Sequence, residues 1–333
     1  AAVVKANAYG LGVERVAPAL IDAGCRTFFV AYTFEGAALR AAIGADATIC
    51  IFNGPSADDF GAYAEHDLTP VLNAPAQLAL WADHGEGRPC VLHVDTGMNR
   101  LGLPVDEAAA LAADEQLCAG LNVSQIITHF SCSADPGDAR NPEQVASFAD
   151  VVAALATRFA QAGTSLSASG GLFLTDPVEE SLIRPGIALY GAGPQDRTEE
   201  CLATVATLEA PVLQVRDLTP GMSVGYSATF TADKPMTIAT LGIGYADGYP
   251  RSLSNKGEVY LARTLCPVVG IVSMDLITVD ITPCRNNVTP GDMAECFGRN
   301  LPVEHLAERA GTISYELFVT LGERVERIYA ETS

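Results

Sequence analysis

Lys5 closes the apolar run Ala1-Ala2-Val3-Val4 and leads into Ala6-Asn7-Ala8-Tyr9-Gly10-Leu11-Gly12. A charge at the inner end of a buried strand is costly unless it is paired or neutralised. A primary amine can be neutralised by condensing with an aldehyde; a guanidinium cannot. The competing reading of this residue alone is a strand-end lysine whose aliphatic stem carries the ammonium to solvent. Arg184 stands in Ile183-Arg184-Pro185-Gly186-Ile187-Ala188-Leu189-Tyr190-Gly191, where proline and glycine enforce a tight backbone path. The amides of Gly186 and Ile187 could then face an anion, as in a backbone nest. A salt bridge closing the fold is the alternative. His129 follows Ile126-Ile127-Thr128, and a satisfied core histidine competes with a functional one. Tyr226 and Tyr315, each taken alone, are amphipathic packing residues. The run Gly242-Ile243-Gly244-Tyr245-Ala246-Asp247-Gly248 has the wrong spacing for a dinucleotide fingerprint, and no helix follows it.

These residues must be positioned by something, and the first half of the chain shows what. Short, almost continuously apolar runs occupy residues 2–5, 27–32, 48–52, 68–73, 90–95, 125–129, 165–169 and 183–190. Such runs are expected of strands buried on both faces. Between them lie segments rich in Ala, Leu, Glu and Gln at 14–23, 35–43, 57–65, 75–82, 105–113 and 142–162, with Pro75 and Pro142 near helix starts. The alternation predicts a (β/α)8 barrel, although a doubly wound open sheet would also satisfy it. The strand ends favour the barrel. They carry Lys5, Tyr32, Asn53, Asn73, Asp95, His129, Ser169 and Arg184, polar groups that a barrel gathers on one face. From about residue 191 helical stretches become rare. Runs at 204–215, 236–243, 258–261, 266–272 and 276–281 then predict a mainly-β C-terminal domain with one helix near 302–310. The expected division is a barrel over 1–190 and a β domain over 191–333.

Composition narrows the function further. Acidic residues outnumber basic ones 40 to 20, for a net charge of −20, which argues against nucleic acid and anionic membrane surfaces as partners. No apolar run approaches the roughly 20 residues that span a bilayer. The nine cysteines are scattered without a C-x-x-C pair, as buried reduced thiols of a cytoplasmic protein would be. The five histidines show no metal-ligand spacing, so no metal is expected. The opening residues already read as a buried strand, so the chain is expected to lack an N-terminal part.

Taken together, the segments resemble the alanine racemase family. Ala2-Val3-Val4-Lys5-Ala6-Asn7-Ala8-Tyr9-Gly10 is similar to that family's pyridoxal phosphate (PLP) attachment segment. The resemblance extends, in order, through Asp95-Thr96-Gly97-Met98-Asn99-Arg100-Leu101-Gly102, Thr128-His129-Phe130, residues 184–191, Val224-Gly225-Tyr226, residues 244–251, Ser273-Met274-Asp275 and residues 311–316. It covers nearly the whole chain and implies a barrel followed by a β domain. It also implies PLP-dependent interconversion of L- and D-alanine in a bacterial cytoplasm, supplying D-alanine for peptidoglycan. Lys5 would bind PLP covalently and act as one base, and Tyr226 of a partner subunit in a homodimer would be the other. Tyr9, Ser169, Tyr315 and the amides of Gly186 and Ile187 would hold the phosphate. His129 would stack on the pyridine ring, and Arg184 would hydrogen-bond its nitrogen. Arg100 and the Met274 backbone would contact the substrate carboxylate, with Asp275 beside it. A base on each face of a planar carbanion is what racemisation requires.

Three departures stand out. His93 occupies a position where many members carry a carbamylated lysine that braces the neighbouring arginine; a chloride or different packing would have to substitute. Ala168 stands where some members have asparagine. Members usually carry a few tens of residues before the lysine strand, and without them a barrel edge would be uncovered. The nearest rival is a racemase of broader specificity (serine, lysine or several amino acids). A PLP decarboxylase of the same barrel type would be expected to place an acid, not Arg184, at the pyridine nitrogen. A non-catalytic PLP carrier would lack the β domain.

Overall fold

The computed structural model describes residues 1–194 and 201–330. The chain divides into two compact units, Ala1–Gly186 and Ile187–Ser333.

In the first unit, parallel strands follow one another around a curled sheet. They are β1 (Ala2–Val3), β2 (Thr27–Val30), β3 (Thr48–Ile51), β4 (Leu68–Leu72), β5 (Pro89–Asp95), β7 (Asn122–Ile127) and β8 (Gly163–Ser165), in that order; the short β6 (Leu103–Pro104) pairs on β5. β2, β3 and β4 are buried along nearly their whole length, which is why both alternate positions are apolar. Helices Val13–Asp22, Thr33–Ile43, Phe60–Glu65, Pro75–His84, Val105–Leu111, Glu115–Ala119 and Arg140–Leu155 alternate with the strands. The longest buries Phe148, Val151 and Leu155, which share one helical face.

The eighth strand expected at 183–190 is not a regular strand. Pro185 has no N–H to give to a ladder. The chain instead makes a single parallel bridge between Ala168 and Arg184 and then a 3-10 turn at Ile187–Tyr190. Within the first unit this short extended piece still closes the ring. Arg184 N donates to Ser167 O at 2.8 Å on one side, and on the other Val3 N donates to Pro185 O at 2.9 Å. The other expected strands are present, with ends shifted by a few residues. In the seventh connection, the helix is replaced by a 3-10 turn, Gly170–Phe173.

The second unit holds a six-stranded antiparallel sheet in the order β14-β13-β16-β9-β12-β15. Its strands are β9 (Leu208–Leu218), β12 (Met236–Leu241), β13 (Glu258–Leu261), β14 (Thr264–Pro267), β15 (Ile277–Asp280) and β16 (Met293–Phe297). A hairpin of β10 (Ser223–Val224) and β11 (Phe230–Thr231) and the helices Val303–Ala310 and Ser314–Val319 accompany it. β16 and the last helix were not expected from the sequence. β16 is disguised by Glu295, a buried acid whose carboxylate accepts from Asn300 N at 2.6 Å and Leu301 N at 2.8 Å. Among the described residues no helix is long and apolar enough to cross a membrane.

Candidate active site

β1 ends at Val3, and the backbone then turns out of the extended region at Val4. Ala6, Asn7, Ala8 and Tyr9 all take φ between 53° and 56°. A left-handed turn of four non-glycine residues is costly, on the order of 1–2 kcal/mol per residue. Tertiary contacts hold it: Ala6 N donates to Glu35 Oε1 at 2.6 Å, and Asn7 Oδ1 accepts from Val13 N at 2.8 Å. This turn sets Lys5 at the C-terminal end of the strands, with Nζ 5.8 Å from the centroid of Phe52, just past β3. The side chain opens to solvent, but protein crowds the ammonium. Its pKa lies below that of an ordinary lysine, first through lost hydration and then through the charge of Arg100, against the pull of Glu35.

Arg184 is 2% exposed. Its guanidinium donates to the Ser165 hydroxyl and to Thr128 O at 2.6 Å, and lies 6.0 Å over Phe29. No carboxylate pairs with it among the described residues, and its Nε donates to none of them. Burial pulls its pKa down to about 10, so it remains a cation at neutral pH. Arg100, exposed on the loop after β5, likewise makes no hydrogen bond or ion pair with a described residue.

The carboxylates of this region are occupied elsewhere. Glu35 accepts from the amides of Ala6, Ala31 and Tyr32 at 2.6–3.1 Å. Asp95 accepts through Oδ1 from Gly97, Met98 and Asn99 at 2.8–3.1 Å and so shapes the Arg100 loop. Glu180 accepts from Leu166 and Ser167 at 2.7 and 2.9 Å. Three acids thus bond backbone amides, and among the described residues Lys5, Arg100 and Arg184 have no carboxylate partner.

Two imidazoles lie in the same electrostatic neighbourhood. Burial first, then Arg184, lowers the pKa of His129 to about 3 and that of His93 to about 4. Both are neutral rings at physiological pH. His93 Nδ1 meets Asn73 Oδ1 at 2.7 Å. The Asn73 amide nitrogen donates to Phe52 O at 2.8 Å and Val71 O at 3.0 Å, so its oxygen must accept. His93 therefore carries its proton on Nδ1 and presents Nε2 as an acceptor.

A hydroxyl-lined corner completes the first unit's share. Ser169 Oγ accepts from Gly186 N at 2.9 Å. A Cβ placed at Gly186 would collide with the Tyr9 hydroxyl, so only glycine permits this approach. Tyr9 and Ser169 are buried. This donor set fits PLP: an amine of lowered pKa, an unused guanidinium N–H, a flat neutral ring, and hydroxyls and an amide gathered as for phosphate.

In the second unit, Ile187 opens a 3-10 turn and is buried. Tyr315 is half-buried in the helix Ser314–Val319. Tyr226 is 70% exposed in a 3-10 turn, Tyr226–Ala228, whose Ser227 and Ala228 have positive φ. Met274 and Asp275 occupy the loop before β15. The Met274 carbonyl accepts from Ala246 N at 3.0 Å, while its own N–H donates to no described residue. Asp275 Oδ1 accepts from Arg324 at 2.7 Å.

Known proteins resemble the chain over nearly its whole length. Residues 1–194 match the family model for the alanine racemase N-terminal domain, and residues 205–329 match that for the C-terminal domain. The chain belongs to the alanine racemase family. It is 44% identical to an alanine racemase of Methylobacterium sp. strain 4-46, over 99% of this chain and 91% of that one. It is 40% identical to a catabolic alanine racemase of Agrobacterium fabrum, over 99% and 86%. The crystal structure of alanine racemase from Bartonella henselae, with covalently bound pyridoxal phosphate, superposes with a TM-score of 0.92 at 38% identity, covering 99% of this chain and 92% of that one.

Of the residues expected from the sequence, the first unit therefore brings together Lys5, Tyr9, His129, Ser169, Arg184 and Gly186, with Arg100 on the adjoining loop. Ile187, Tyr226, Met274, Asp275 and Tyr315 lie on the second unit. Sequence reasoning passed over Glu35, Glu180 and Arg324. Their type says only that they are charged; their importance lies in partners far along the chain.

Proposed function

We propose that this protein interconverts L- and D-alanine with PLP as its cofactor. The observation that carries the reading is the group of Lys5, Arg100 and Arg184, cations that no carboxylate pairs with among the described residues, beside a hydroxyl-lined corner. An anionic cofactor and a carboxylate substrate both suit such a surface. PLP, when bound, supplies the electron sink that makes an amino acid's α-proton removable. Lys5 Nζ, whose lowered pKa enlarges its neutral fraction, would hold the cofactor covalently and move the α-proton on one face. Tyr226 Oη of the second subunit in a homodimer would serve the opposite face. Tyr9, Ser169, Tyr315 and the amides of Gly186 and Ile187 would bind the phosphate. Arg184, charged at neutral pH, would donate its spare N–H to the ring nitrogen and keep that nitrogen unprotonated. His129 would lie on the ring as a neutral plane. Arg100 and the Met274 N–H would orient the substrate carboxylate.

On this reading residues 1–190 carry the cofactor and 191–333 complete the substrate site. The nine free thiols suit a cytoplasmic enzyme, and D-alanine for peptidoglycan is the product's use. The test is to incubate the PLP-loaded protein with a panel of L-amino acids and separate the enantiomers. D-alanine formed faster than any other D-amino acid is the expected result. Comparable rates on serine or lysine would point to a broad racemase, and carbon dioxide release to a decarboxylase.

A further inference from the structure

Three segments of the second unit are locked together around the Met274 loop. The turn at Gly244 packs backbone to backbone on it: Tyr245 N donates to Ser273 O and Ala246 N to Met274 O, each at 3.0 Å. A Cβ at Gly244 would collide with the Met274 carbonyl. The chain near residue 322 forms the third side, with Gly322 N donating to Asp247 O at 3.1 Å. Arg324 ties all three. Its Nε and one terminal nitrogen donate to Asp247 Oδ1 at 2.9 and 2.8 Å, and the other terminal nitrogen to Asp275 Oδ1 at 2.7 Å.

The two acids differ in setting. The Asp247 side chain is 12% exposed and also accepts from Gly244 N at 2.8 Å, so it anchors the guanidinium. The Asp275 side chain is 57% exposed and stands next in sequence to the unengaged Met274 N–H. An unpaired carboxylate there would repel any anion approaching that amide.

We propose that Arg324 is a positioning residue for substrate: anchored on Asp247, it neutralises Asp275, so that a substrate carboxylate can reach the Met274 N–H. This rests on the reading that Met274 contacts the substrate carboxylate. Asp275 then serves recognition only through its ion pair, and not as a direct contact.

The experiment compares steady-state racemisation by the PLP-loaded wild type, Arg324→Gln, Asp275→Asn and the double variant. Arg324→Gln should raise KM for alanine about three- to tenfold, with kcat within about twofold of wild type. Asp275→Asn alone should leave KM at or below the wild-type value. Added to Arg324→Gln, it should return KM to within about twofold of wild type, because the repelling charge is gone. Added salt should shrink the Arg324→Gln defect by screening. Should Arg324→Gln not fold, Arg324→Lys keeps the charge, and it should hold KM near wild type. An Arg324→Gln enzyme with unchanged KM overturns the proposal. So does a raised KM that Asp275→Asn fails to reverse, which would make Arg324 a purely structural brace. A wild type that does not racemise alanine overturns the functional reading itself, and the proposal with it; an active wild type with no rescue overturns the proposal alone.

Discussion

Arg184 and Arg324 are arginines in opposite circumstances. Arg184 is fully buried in the barrel unit, satisfied by a hydroxyl and carbonyl oxygens, and has no carboxylate partner among the described residues. Arg324 is half-exposed in the β unit and gripped by two carboxylates. Stability alone would favour the reverse, since an unpaired buried charge is the costly one. The difference separates two uses of the same side chain. Arg324 holds loops, and its charge is spent on the protein. Arg184 keeps its charge unspent, and after burial it is the next cause that lowers the pKa of both neighbouring histidines. The acids near it, committed to backbone amides, help preserve that state. In a chain of net charge −20 the accumulation of uncompensated cations at one barrel rim is a local construction, against the overall balance.

The largest effect is expected where that construction is removed. Arg184→Met should lower racemisation by about a hundredfold or more, the usual cost of losing a preorganised polar group. It should also raise the imidazole pKa values of His93 and His129 part of the way, since burial, the larger cause, remains; NMR titration reads this. Unmoved histidines would place the cause of their low pKa elsewhere and erase the contrast with Arg324. Gly186→Ala comes next. Its methyl would push the Tyr9 hydroxyl aside, and PLP affinity, measured by titration of the cofactor-free protein, should weaken tenfold or more, about 1.4 kcal/mol.

A third effect falls on stability in acid and not on activity. His93 and His129 have folded pKa values of about 4 and 3, below the unfolded value of about 6.5. The unfolded chain binds their protons first, so their contribution is complete above pH 6.5. It declines as pH falls through the window down to the folded values, by about 1–2 kcal/mol each at pH 5. Thermal unfolding followed from pH 7 to pH 5 should show this loss, and His93→Gln should flatten it. An unchanged slope in that variant would mean that His93 is not held neutral.

The sequence made the barrel legible because its strands are buried on both faces and end in polar residues, as β3 and β4 do before Asn53 and Asn73. Lys5 could be read as chemistry because it ends such a run, and Arg184 because Pro185 and Gly186 follow it. The left-handed turn at residues 6–9 could not be read, because no glycine marks it; Glu35 and Asn7 supply the compensation through contacts. The eighth strand was over-read because Ile187-Ala188-Leu189-Tyr190 is apolar enough for a strand, while Pro185 and Gly186 turn the chain into a 3-10 turn. The Arg324 clamp was invisible for a different reason: its partners lie 77 and 49 residues away, and spacing carries no trace of such pairs.

On the proposed function Lys5, one of three lysines with Lys234 and Lys256, is the amine that takes the cofactor. Borohydride reduction of the PLP-loaded protein, followed by proteolysis and mass spectrometry, tests this most directly. A phosphopyridoxyl group on the Lys5 peptide alone is the expected result. Label on Lys234 or Lys256 with Lys5 unmodified would contradict it.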